Sequence, residues 1–143
     1  MDTVEMTMIV PSQLRMAVMR LARRLRQESV GDITQSQLSA LSIVDRRGPL
    51  SLGELADIER VAPPSMTRIA ARLEERGWVV RAVDSMDRRV ARLEVTDAGR
   101  ALLKETRTRR DAYLATRLRG LSAEERDILL SALPLLERLA GDE

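Results

Sequence analysis

The chain contains no cysteine, no histidine and no phenylalanine, and Trp78 and Tyr113 are its whole aromatic content. Without cysteine there is no disulfide framework, no thiolate zinc site and no thiol redox switch. Without histidine the commonest general base, the commonest metal ligand and the ordinary neutral-pH switch are gone. An enzyme would have to work from carboxylates alone. Glu74 and Glu75, adjacent on a helix, point apart and read as surface charges, and no glycine-rich loop is present to cradle phosphate. The expectation is a protein that is not an enzyme and uses no metal or cofactor. Long apolar runs are also missing, so no membrane span is predicted. The first residues, acidic at Asp2 and Glu5, lack the charged-then-apolar order of a signal peptide, which predicts a cytoplasmic protein.

What is present is one domain's worth of chain, 143 residues with 44% apolar and 32% charged side chains. With so few rings, the core must be built from Leu, Val, Ile, Ala and Met, which suits packed helices. The formal charge is only +2, but it is unevenly spread. Residues 60–92 hold eight Arg against four acids, a local +4, so the other 110 residues sum to −2. A basic segment in a near-neutral chain is the footprint of a polyanion partner. Composition alone equally admits a general arginine bias, since 23 of the 24 basic residues are Arg and only Lys104 is not.

Helical spacing organises most of the chain. Leu14, Val18, Leu21 and Leu25 form a stripe over residues 12–28, with Ser12 as the expected N-cap. Thr34 and Gln37 make a capping box for a helix carrying Leu38, Leu41 and Val44, which ends at Gly48-Pro49. Ser51 and Glu54 open a short helix in the same way. After a turn near residues 59–62, Pro63 begins another helix with a Met66, Ile69, Ala70, Leu73 stripe and a Gly77 stop. Two short helices joined by a tight turn make a helix-turn-helix. The second presents Ser65, Thr67, Arg68 and Arg72 away from its buried stripe, side chains suited to base edges and phosphates.

Strands over residues 78–83 and 90–95 follow, joined by the loop DSMDRR. Thr96 caps a helix from 97 to 118 whose KETRTRRD segment, 104–111, is expected to lie in solvent. Ser122 and Glu125 open the last helix, which should bend at Pro134. A hairpin directly after a helix-turn-helix is a wing. With the recognition helix in the major groove, Arg88 and Arg89 at the wing tip reach the flanking minor groove, where narrow A·T-rich segments attract arginine. Asp87 is spaced to brace Arg89. Arg76 and Arg81 are either phosphate contacts or plain exposed charges. Met16, Met19 and Trp78 could line an effector crevice but read better as core or interface.

In LEERGWV, DRR and LEVTDAG, in that order, the chain resembles the MarR family of bacterial transcriptional regulators, from about Leu14 to Leu139. The resemblance implies a mainly α fold with a small β-hairpin wing. Residues 34–96 would form the winged helix-turn-helix, and residues 1–33 and 97–143 the helical dimerisation region. It implies a homodimer on a pseudo-palindromic double-stranded DNA operator, repressing a neighbouring gene or its own, with release by a small-molecule effector as many members show. Ser65, Thr67, Arg68 and Arg72 fall at DNA-contact positions, Arg89 at the minor-groove position and Asp87 at that of its partner. Two positions depart from the family pattern: Arg60 stands where a turn glycine is common, and Met86 where the wing often carries a basic residue. A winged helix used only as a protein-interaction module is the rival reading; the basic recognition face speaks against it.

Overall fold

The computed structural model describes residues 3–141; the outermost two residues of each predicted dimerisation segment lie outside them. Chain order is α1 (Thr3–Arg26), α2 (Gln35–Arg47), β1 (Leu50–Ser51), α3 (Leu52–Glu59), α4 (Pro63–Glu75), β2 (Val79–Val83), β3 (Ala91–Val95), α5 (Asp97–Arg119) and α6 (Ala123–Ala140). The sheet is antiparallel with order β1-β3-β2, so β3 is its central strand. Val79 lies opposite Val95 and Val83 opposite Ala91 in the hairpin, while Leu50 and Ser51 of β1 face Leu93 and Arg92.

The core is aliphatic, as the shortage of rings requires. Leu41 and Val44 of α2, Leu55 of α3, Met66 and Leu73 of α4, and Val79 and Leu93 of the hairpin are fully buried. Leu102 and Leu103 of α5 join the cluster, and among the described residues none of α1 or α6 belongs to it. The winged helix is thus a packed unit from which the terminal helices extend with apolar side chains bare, among them Leu14, Val18, Leu21, Leu129, Leu133 and Leu136.

The expected caps form at Thr34, with its box partner Gln37, at Thr96, and at Ser122 with Glu125. Ser51 caps α3 by accepting from the Glu54 amide, but the Glu54 carboxylate turns to Arg92 and not back to the cap. Gly77 behaves as expected: it takes φ 76°, its amide donates to the Glu74 carbonyl and that of Trp78 to the Leu73 carbonyl, a Schellman closure.

Three expectations are corrected. Ser12 is not an N-cap, because α1 begins at Thr3 and runs through Pro11. Proline costs that helix one backbone donor but keeps a helical φ, and the helix absorbs the loss. The strand β1 was not expected; two residues carry no pattern of their own and become a strand only by pairing with β3. Within the polar 104–111 segment, Thr106 is buried (2% exposed) against the winged helix.

Arg60 ends α3 in the left-handed conformation, φ 55°, with the Val61 amide on the Ala56 carbonyl. That conformation costs an L side chain about 1–2 kcal/mol. Arg60→Gly removes the strain but adds freedom to the unfolded chain. The expected net gain is about 0.5–1 kcal/mol, read as a higher midpoint in chemical denaturation; an unchanged or lower midpoint contradicts the strain.

Candidate nucleic-acid interface

The recognition helix α4 starts at Pro63 and buries Met66, Ala70 and Leu73 against the core. Ser65, Arg68 and Arg72, spaced three and four apart, share one outer face. An Arg68 Nη2 donates to Ser65 Oγ at 3.4 Å, so the two polar groups already point to a common place. The Thr67 hydroxyl donates to the Pro63 carbonyl at 3.0 Å and keeps acceptor capacity outward. Arg72 is held by Glu75 at 3.2 Å, with Asp32 at 3.9 Å, so it reaches a phosphate only by giving up those partners.

The wing tip is tightly built for an exposed loop. Asp87 Oδ1 accepts both the backbone amide of Arg89, at 3.0 Å, and its Nε, at 3.2 Å. Arg89 is nonetheless 92% exposed, a guanidinium fixed at its base and free at its face. Arg88 and Met86 project beside it, both exposed. At the wing's root, Asp84 Oδ2 accepts from Arg92 Nε at 2.7 Å and Oδ1 from the Met86 amide at 2.7 Å. The Met86 amide, then the Arg92 guanidinium, hold the Asp84 carboxyl below its ordinary pKa. Its folded-state pKa being depressed, this tie is intact at neutral pH and is lost only as acid takes the pH down through that lowered value.

Ion pairing locates the local charge. Each of the four acids in residues 60–92 holds one arginine: Glu74 holds Arg81, Glu75 Arg72, Asp84 Arg92 and Asp87 Arg89. Subtracting those four from eight leaves Arg60, Arg68, Arg76 and Arg88 as the local +4. Arg76 lies over the Trp78 ring at 4.8 Å. Glu74 and Glu75 are thus surface charges that each hold an arginine, Arg81 and Arg72.

The profile of the MarR family matches residues 33–91, the stretch from the start of α2 into β3 that builds this unit. An HTH-type transcriptional regulator of Mycobacterium tuberculosis is 43% identical over 132 residues, covering 92% of this chain and 92% of that protein. The chain belongs to the MarR family. It is a DNA-binding regulator of transcription, not an enzyme. The HTH-type transcriptional repressor MdtR of Bacillus subtilis is 29% identical over 90% of this chain and 84% of its own length. A MarR family protein from Bacillus stearothermophilus superposes with a TM-score of 0.82 at 25% identity, over 99% of this chain and all of that one.

Against the family pattern, the structure explains one departure: Arg60 occupies the glycine-type turn in the left-handed form. Met86 leaves the wing one cation short and places a thioether, 93% exposed, beside Arg88 and Arg89. Trp78 is buried in the winged-helix core, whereas Met16 and Met19 are exposed on α1. What the sequence left unread is the Asp84–Arg92–Glu54 connection, whose members lie up to 38 residues apart.

Proposed function

We propose that the protein is a homodimeric repressor that binds a pseudo-palindromic operator at its own or a neighbouring gene. Ser65, Thr67, Arg68 and Arg72 contact bases and phosphates in the major groove, and Arg88 and Arg89 enter the flanking minor groove. The observation that carries this reading is Arg89, fully presented at the wing tip and locked at its root by Asp87. Bracing of this kind reduces the rotamer entropy lost on binding. The bare leucine faces of α1 and α6 support a second copy as their cover, with residues 34–96 as the DNA-binding part and the terminal helices as the dimerisation part. The relation to MdtR supports repression. Cytoplasmic residence fits that role, and among the described residues no helix is long and apolar enough to cross a membrane.

Release by a small-molecule effector has support in a cavity of about 210 Å³ between α2 and α5, lined in part by Ser42, Thr106, Arg107 and Arg110. Thr106 Oγ1 and Arg110 Nε are buried there without a hydrogen-bond partner, and such groups ordinarily have one. The cavity lies where the winged helix meets the long dimerisation helix, so an occupant would bear on the angle between them.

Arg89→Ala tests the DNA reading. Operator affinity at moderate salt should fall by about 1–3 kcal/mol, with A·T-rich flanks losing their advantage. Equal affinity for variant and wild type would remove the wing from the interface.

A further inference from the structure

We propose that Arg92 is a positioning residue: it fixes the inclination of the wing to α3 through Asp84 and Glu54, and thereby governs the groove contact of Arg89 without touching DNA itself. The proposal rests on the wing contact described above. Arg92 sits on the central strand, opposite Ser51 on one side and Ala82 on the other, so its backbone is held from both edges. Its Nε reaches Asp84 Oδ2 at 2.7 Å, and one Nη reaches both oxygens of Glu54 at 3.1 Å.

The two carboxylates belong to different elements. Asp84 is the first residue of the wing loop; its amide donates to the Val90 carbonyl, and its side chain also receives the Met86 amide. Glu54 lies in the first turn of α3, whose cap, Ser51, is itself in β1. One side chain thus connects the loop that carries Asp87 and Arg89 with the first helix of the helix-turn-helix. The Arg81 to Glu74 ion pair, at 2.7 Å, by contrast joins the stem of the hairpin, and not its loop, to α4. Because the hairpin is a lever, tilt at its root displaces its tip most. Arg92, turned onto two carboxylates and only 31% exposed, is poorly placed to serve a phosphate, in contrast to Arg89.

The Arg92–Glu54 pair is partly exposed and such pairs add little to global stability, so Glu54→Gln leaves melting nearly unchanged while the tip loses its aim. A double-mutant cycle on operator affinity distinguishes positioning from contact. Arg92→Gln is expected to weaken binding by roughly tenfold in the wild-type background and by less than about twofold in the Arg89→Ala background, within the coupling range of one network. Glu54→Gln, which removes no cation, should show the same dependence on Arg89. Equal weakening by Arg92→Gln in both backgrounds, no weakening in the wild type, or a Glu54→Gln variant that binds like wild type would each overturn the proposal. If Arg89→Ala alone binds like wild type, the wing contact itself fails and the positioning role falls with it, an outcome visible in the first arm of the cycle.

Discussion

Gly99→Ala should destabilise the protein by about 3 kcal/mol, although it adds one methyl group near the start of a helix, where alanine is normally favoured. A Cβ at this position runs into the backbone carbonyl of Trp78 and comes within 2.9 Å of a Val95 methyl. A side chain could rotate away, but the Trp78 carbonyl is fixed. It accepts the Thr96 amide at 3.0 Å, while the Thr96 hydroxyl donates to the Gly77 carbonyl at 2.6 Å and accepts the Gly99 amide at 3.1 Å. Relief therefore requires lifting α5 from the winged helix, with loss of those bonds and of the Leu102 and Leu103 packing. At fixed protein concentration the melting temperature should fall by roughly 10 °C. Gly53 supplies the contrast. It is exposed on α3 and its nearest neighbour, Ser51 Oγ, is 3.9 Å away, so Gly53→Ala should stabilise by about 0.5–1 kcal/mol. Similar melting of Gly99→Ala and wild type would show that α5 does not dock on Trp78 as described.

The second large effect concerns assembly. Leu129, Leu133 and Leu136 lie on one side of α6, which has no buried residue within the single chain. Leu14, Val18, Leu21 and Leu25 of α1 line an apolar groove with Leu136 and Leu139. Leu133→Asp with Leu136→Asp puts two charges per subunit into any interface formed there, and isolated buried carboxylates are not tolerated. The expected result is a monomer by analytical ultracentrifugation that keeps its helical circular dichroism, because the winged-helix core draws nothing from α6. Operator affinity should fall by about a hundredfold or more, since the second half-site is no longer delivered at high effective concentration. A variant that remains dimeric would place the interface elsewhere.

Most of the fold was legible because helix boundaries are written locally. Thr34 with Gln37 and Ser122 with Glu125 act over three residues, and the Schellman closure at Gly77 needs only a glycine at the right place. The local geometry of the candidate site was legible for the same reason: Asp87 and Arg89, which bond to each other, are two residues apart, and the outer face of α4 follows from its buried stripe. What could not be read depends on distant partners. Leu50 and Ser51 form a strand only beside Leu93 and Arg92, and only that pairing brings Glu54 to Arg92. Thr106 has the polarity of a surface residue but lies under the winged helix, which its own neighbours in sequence do not reveal. Ser12 has the side chain of an N-cap, yet α1 begins at Thr3 and passes through Pro11 and Ser12.

Sequence-specific recognition by a two-fold symmetric protein is put to the test by selection from random duplex DNA, followed by salt titration of the enriched site. The expected result is an inverted repeat with half-sites about one helical turn apart or a multiple of it, bound as a dimer and weakening steeply with salt as phosphate contacts release counterions. Recovery of no common motif, or binding of selected and scrambled duplexes alike with little salt dependence, would contradict it.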